Sequence, residues 1–310
     1  MRRPAALAWL RILRSARFAS SRGRRRCRWA PHCERRSLRR MDQREYWDGE
    51  AGTVWAAHAD KLDIIIGPFG KIAIEALAPR AGERVLDIGC GAGATSRALA
   101  ALVGPSGSVL GVDVSGPLLA TARARGGGPA FHLGDAGCEP IPGAPFDAAF
   151  SRFGVMFFPD PPGAFAHLRA ALRPGGRIGF VCWRSMMENA WAQGTLAAAL
   201  PLLREPPVAP PPDAPGPFSF ADAGRLRGIL EGAGWSGVEI KPLDTGYVMG
   251  ATPEEAAETM LHIGPLSRLI REQALDPAPF RQMLLDLLRR NLGEQGPVLA
   301  AACWIVTATA

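Results

Sequence analysis

Residues 85–94 read VLDIGCGAGA. A short apolar run leads into glycines at alternate positions, 89, 91 and 93, and a segment of helical pattern follows. Glycines at such a corner permit a tight strand-to-helix turn and let a ligand approach the main chain. The free N–H groups that open the helix add a partial positive charge. The stretch therefore reads as a loop for a nucleotide-containing cofactor. Gly89, Gly91 and Ala94 fit the dinucleotide pattern G-x-G-x-x-G/A. Asp87, two residues before the first glycine, does not belong to that reading.

A dinucleotide would rest its pyrophosphate on this corner. A carboxylate at ~4 Å from a phosphate charge, at an effective dielectric of ~20, is repelled by about 4 kcal/mol. An ammonium group at the same place is attracted by a similar gross amount. S-adenosylmethionine (SAM) carries an ammonium, a sulfonium and no phosphate, so Asp87 favours SAM over NAD. Two further acids follow. Asp113 closes the second strand pattern, 24 residues past Gly89, where a carboxylate can accept both ribose hydroxyls of either cofactor. Asp135, in HLGDAG, can accept an adenine amino group, and the Ala136 N–H can reach a ring nitrogen.

The surrounding pattern alternates strands and helices. Strands are expected at 84–88, 107–112, 129–133, 146–151, 177–183, 237–241 and 299–307. Helices are expected at 43–66, 68–78, 93–103, 116–124, 162–172 and 220–232, and through 253–293 with breaks at Gly264-Pro265 and at Pro277 and Pro279. That rhythm implies an α/β protein with a mostly parallel sheet and helices on both faces. The eight prolines of 201–217 read as a surface loop, because the sheet pattern resumes beyond them.

Five motifs in register carry a resemblance: VLDIGCGAGATS (85–96), VLGVDVSGPLL (109–119), FHLGDA (131–136), FDAAFSRFGVMFF (146–158) and LRPGGRIGFVCW (172–183). Together they resemble the class I SAM-dependent methyltransferases, in the small-molecule branch grouped with quinone-biosynthesis enzymes. The resemblance covers about residues 68–183. It implies a Rossmann-like sheet of seven strands, the last antiparallel, with a helical cap. It also implies a site. Asp87, Gly89 and Gly91 would line the methionine end of SAM, Asp113 would hold the ribose, and Asp135 and Ala136 the adenine. Ser151 and Arg152 would touch or gate the methionine moiety. Asp160-Pro161-Pro162-Gly163 lies too late, and lacks the aromatic residue, to serve as an amino-methylation motif; it reads as a turn into a helix.

The acceptor pocket is expected over the carboxyl ends of the strands. Three segments could roof it: the helix bearing Tyr46, Trp47, Trp55 and His58, the stretch 184–217 with Trp191, and the insertion 253–293. Their Trp, Phe, Met and Leu side chains imply a small apolar or aromatic acceptor, with O, N, S and C all open as the methylated atom. His58 is the best-placed candidate base; its alternative is an ordinary helix-surface histidine. A non-catalytic SAM-fold module and an NAD-dependent oxidoreductase are the competing readings.

Composition bounds the rest. Fourteen of the 36 Lys and Arg residues, and one of the 29 acids, fall in residues 1–40; the remainder carries 22 basic and 28 acidic residues, a net −6. The body is thus mildly acidic, which argues against a nucleic-acid partner. Residues 1–40 read as an upstream extension or disordered tail in preference to a targeting peptide, leaving 41–310 as the methyltransferase domain. Six scattered cysteines without ligand spacing imply a reducing compartment, no disulfide framework and no metal. The cytoplasm is expected, or the mitochondrial matrix if the tail is a transit peptide. No apolar run is long enough to span a membrane.

Overall fold

The computed structural model describes residues 43–211 and 214–310. The expectations for residues 1–40 lie outside the described residues. Strands β1 (Arg84–Ile88), β2 (Ser108–Asp113), β3 (Ala130–Leu133), β4 (Phe146–Arg152), β5 (Leu172–Trp183), β6 (Ser236–Val248) and β7 (Gly296–Thr309) form one sheet in the order β3-β2-β1-β4-β5-β7-β6. The first five run parallel, and β7 enters antiparallel between β5 and β6. A two-residue strand, Leu292–Gly293, makes a hairpin with the start of β7. The seven strands and the antiparallel last one are those the resemblance implies; the order is added by the structure.

Consecutive β5 residues show why both faces carry helices. A Cβ on Gly179 would sit 2.8 Å from the Cβ of Leu77, at the end of helix α3 (Ala59–Leu77). The next residue, Phe180, meets the Phe165 ring of α6 (Pro161–Ala170) at 5.7 Å. Side chains alternate across a strand, so α3 and α6 cover opposite faces. The glycine lets α3 lie close, while the phenylalanine fills the other side. Between them lie α4 (Ala94–Val103) and α5 (Gly116–Arg125). Asp160 caps α6 by accepting from the Gly163 N–H at 3.3 Å, with Pro161 in its first turn. The Asp-Pro-Pro-Gly sequence is thus the turn it was read to be.

Several boundaries differ from the sequence reading, and β5 starts at Leu172, five residues before the expected 177. The stretch 43–66 is not one helix. It breaks at Gly49 and His58 into α1 (Gln43–Asp48), α2 (Glu50–Ala57) and the start of α3. Pro68 does not end a helix, since α3 runs through it. Pro68 and Ile64 are both exposed, so water can satisfy the carbonyl that loses its partner. Strand β6 is 13 residues long, well beyond 237–241. Pro242 is tolerated because β6 is an edge strand, paired only to β7.

After β5 the chain forms α7 (Ala190–Ala199), then the proline-rich loop, then α8 (Ala223–Gly232) leading into β6. The loop returns to the sheet where the Gly216 N–H and the Ser219 hydroxyl both bond the Met156 carbonyl. Beyond β6 lie α9 (Pro253–His262), α10 (Pro265–Glu272) and α11 (Pro277–Arg289). Pro277 and Pro279 open α11 under an Asp276 cap instead of breaking a helix. Among the described residues no helix is long and apolar enough to cross a membrane.

Candidate active site

The strand order reverses at β1, which has β2 on one side and β4 on the other. Above their carboxyl ends, chains diverge to opposite faces and leave a crevice. A continuous cavity occupies it. One end is walled by Gly134, Asp135, Ala136 and Phe158, the middle by Gly89, Gly91 and Asp113, the far end by Arg152, Phe153, Trp183, Trp191, Tyr247 and Met260.

The glycine loop takes its shape from close approaches. Gly89 has φ +64°, and a Cβ there would meet the Cα of Gly154 at 2.9 Å. The turn after β4 therefore lies against the turn after β1. Gly91 has φ +53° and nothing of the protein within 4 Å of where its Cβ would be. Its bare backbone faces the cavity, a cradle that a side chain would fill. Asp113 stands on the wall. It accepts the Gly91 N–H at 2.7 Å and the Ser115 N–H at 2.9 Å, and so ties the loop to the end of β2. Burial raises its carboxyl above the usual range, against those hydrogen bonds.

Asp135 accepts the Gly137 N–H at 2.8 Å. The Ala136 N–H has no partner among the described residues, which leaves a donor beside that carboxylate. Gly89, Gly91, Asp113, Asp135 and Ala136 thus gather on one cavity, as the sequence reading expected.

Two expected residues do not reach that wall. Asp87 is fully buried beneath the loop. Its Oδ2 accepts the hydroxyls of Thr95 at 2.7 Å and Ser96 at 2.6 Å, from the first turn of α4. Its Oδ1 is buried with no hydrogen-bond partner. Desolvation raises its carboxyl to about 6, outweighing the Ser96 and Thr95 hydroxyls and the charge of Arg152. Asp87 acts on the cavity through its charge and by pinning α4, not as a wall. Ser151 is likewise buried and absent from the lining. Its hydroxyl donates to the Ile88 carbonyl at 2.8 Å and accepts the Gly154 N–H at 3.1 Å. It fastens the β4 turn to the β1 turn instead of touching a ligand. Side chains alternate along a strand, so Asp87 and Ser151 turn away from the cavity that their neighbours Ile88 and Arg152 line.

Arg152, the next residue along, does face the cavity, and its Nη2 meets Asp63 of α3 at 3.1 Å. Phe153 follows in the left-handed region, φ +61°. Such strain in a bulky residue persists only where the surroundings hold it, and clusters at functional sites. Here Phe153 lies flat against Trp183, ring centres 4.3 Å apart. Trp47 and Trp55 roof the middle of the cavity, with Phe157 packed edge-on to Trp47. His58 does not line it; the ring stacks on His262 at 5.4 Å and binds the Val54 carbonyl. The sequence reading missed Asp63, Tyr247, and the hydroxyls of Thr95 and Ser96. Thr95 and Ser96 stood inside a quoted motif, but a hydroxyl's partner is not visible in one dimension.

The comparisons with known proteins fit this geometry. Residues 85–176 match the family model described as a methyltransferase domain. The nocamycin O-methyltransferase of Saccharothrix syringae is 32% identical over 203 residues, covering 61% of this chain and 71% of the relative. The chain is a SAM-dependent methyltransferase. The family match sets aside the dinucleotide reading of the loop. Aklanonic acid methyltransferase DauC of Streptomyces sp. strain C5 is 36% identical to this methyltransferase over 127 residues, covering 39% of the chain and 58% of the relative. The methyltransferase shares its fold with phosphoethanolamine N-methyltransferase 2 of Haemonchus contortus, solved with SAM bound. The TM-score is 0.51 at 16% identity, covering 86% of this chain and 59% of that one.

The residues present fit SAM. The Gly91 cradle is open to the cavity, an unpaired amide stands at one end, and a buried carboxylate with an orphaned oxygen lies beneath the loop. Among the described residues, no group of three or more His, Cys, Asp or Glu could hold a metal ion.

Proposed function

We propose that this methyltransferase methylates a small, apolar or aromatic acceptor; relatives named for nocamycin and aklanonic acid support a small molecule. The observation that carries this is the continuity of the cavity, from the Asp135 end into a chamber walled by Phe153, Trp183, Trp191 and Tyr247. When bound, SAM supplies an electrophilic methyl group on a sulfonium. The chain's own work is to bind, align and exclude water. Asp113 takes the ribose hydroxyls. Asp135 and the Ala136 N–H take the adenine edge. The backbone of Gly89 and Gly91 lies along the methionine end, and buried Asp87 supplies the negative potential its ammonium needs. The aromatic chamber holds the acceptor and keeps water out.

This activity is assigned to residues 41–310, with 184–217 and 253–293 as cap segments. Trp191 and Pro217 of the first, and Thr259, Met260, Ile263, Gly264 and Leu266 of the second, supply cavity wall in support. The net charge of −6 beyond residue 40 disfavours a nucleic-acid acceptor. The four described cysteines are free thiols, in keeping with residence in the reducing cytoplasm.

Isothermal titration with SAM tests the cofactor roles. Asp113→Ala should weaken binding at least about tenfold, a loss of ~1.4 kcal/mol. Unchanged affinity would move the ribose elsewhere. Incubation with labelled SAM and a metabolite extract tests the acceptor class. Label recovered only in polar, non-aromatic products would sink it.

A further inference from the structure

The acceptor end of the cavity is mostly apolar, and its charged groups are Arg152 and its partner Asp63. Arg152 reaches into it from the end of β4, its side chain 11% exposed. One donor nitrogen is committed to Asp63. Asp63 is itself shared with Arg125, at 2.8 Å, so its charge is divided between two guanidinium groups. The Nε and Nη1 of Arg152 make no hydrogen bond among the described residues. Nor does the hydroxyl of Tyr247, on the same chamber wall. Burial pushes the Tyr247 phenol up, with the Arg152 charge opposing, so it stays a neutral O–H donor.

The chain makes room for this arrangement. Gly70 lies inside α3, and a Cβ there would come 2.9 Å from the Cδ of Arg152. A glycine within a helix costs about 1 kcal/mol relative to alanine. Here it lets the arginine stem lie across the helix and deliver its head to the chamber. The guanidinium donors left unpaired open onto the cavity, and they match the planar, two-oxygen face of an anion. No histidine lines the cavity among the described residues, and Asp63 is held by two arginines. The lining beside Arg152 thus offers hydrogen-bond donors and, among the described residues, no histidine.

We propose that Arg152 and Tyr247 bind the acidic oxygen of the acceptor, and that the acceptor is an aromatic or planar apolar oxygen acid: a carboxylate, enolate or phenolate. The acceptor oxygen arrives deprotonated, so no proton moves in the transfer step. Its lone pair makes the new bond to the methyl carbon, and the electron pair of the broken carbon–sulfur bond stays on sulfur. Phe153 and Trp183, stacked at 4.3 Å, and Trp191 hold the flat body. This inference rests on the proposed acceptor chamber and narrows it.

The test uses 2-naphthoate and its neutral counterpart 2-naphthamide, titrated into the full chain saturated with S-adenosylhomocysteine. Wild type should bind the anion at least about tenfold more tightly. Arg152→Gln should abolish that preference while the protein stays folded and still binds S-adenosylhomocysteine. Arg152→Lys should keep part of it, and Tyr247→Phe should weaken it. Failure of wild type to prefer the naphthoate overturns the proposal. So does a large loss of S-adenosylhomocysteine affinity in a folded Arg152→Gln protein, because the arginine would then serve the cofactor's own carboxylate. Should Arg152→Gln not fold, retention of the full preference in Arg152→Lys and Tyr247→Phe together overturns it. If S-adenosylhomocysteine does not bind wild type at all, the cofactor-site reading fails first, a different result from cofactor binding without anion preference.

Discussion

Asp87 lies beneath the cofactor loop, and its charge reaches the cavity from there. Its folded-state value of about 6 lies above the ordinary 3.8 because desolvation dominates. The native protein therefore holds this proton longer than the unfolded chain. The associated stabilisation is complete below about pH 4 and is lost as pH rises towards about 6. A cationic ligand reverses the preference, since it favours the carboxylate. SAM affinity should then climb with pH through the same window. Calorimetric titration should find binding about three- to tenfold weaker at pH 5 than at pH 7.5. Asp87→Asn should weaken binding at neutral pH and flatten the profile. A profile as steep in the variant as in wild type would assign the titration to another group.

At the scale of the element, the strand–glycine–helix corner separates two duties within three residues. Gly89 is required by the protein itself, because its Cβ would strike the Gly154 backbone. Gly89→Ala should destabilise the fold by about 1–3 kcal/mol, seen as a lower denaturant midpoint. Gly91 is required by the ligand, since its Cβ would meet only open cavity. Gly91→Ala should lose about 1 kcal/mol of stability, the ordinary cost of a left-handed alanine. Its SAM affinity should fall about tenfold or more. Equal effects of the two substitutions on binding and stability would refute this division. A single sequence shows both as the same letter. Only the approach of the β4 turn, held by Ser151, tells them apart.

Across the whole molecule, the cap must be fastened to the sheet to close the acceptor chamber. Asn189 does this from a fully buried position. Its amide donates to the Ser185 and Ala302 carbonyls, and its oxygen accepts the Trp191 indole N–H and the Ala302 N–H. It thus locks a chamber wall, Trp191, to strand β7. Asn189→Ala leaves buried donors and acceptors unmade at each of these places and should cost about 3 kcal/mol or more. A fall of several degrees in the thermal midpoint, with acceptor binding lost more than SAM binding, is the expected result. An unchanged midpoint would mean the cap is held by other contacts.

Much of this protein was legible in the sequence because its signals are local. The apolar run of β1, the glycines that must follow it, and the acids at the ends of β1, β2 and β3 are set by spacing along one chain. Five motifs in register carried the seven-stranded fold with its antiparallel last strand, but the strand order came from the structure. What spacing could not supply was direction and depth. Whether Asp87 and Ser151 open onto the cavity or turn beneath it depends on the pleat and on a neighbouring turn 63 residues away in sequence. Whether Pro242 ends a strand depends on β6 being the sheet's edge. The meeting of Arg152 with Asp63 and Gly70, on a cavity that Tyr247 also lines, joins β4, α3 and β6, elements far apart along the chain. Local backbone chemistry thus fixed the elements and the cofactor loop. Burial and long-range packing, which exist only once the sheet has formed, decided which side chains face the chemistry.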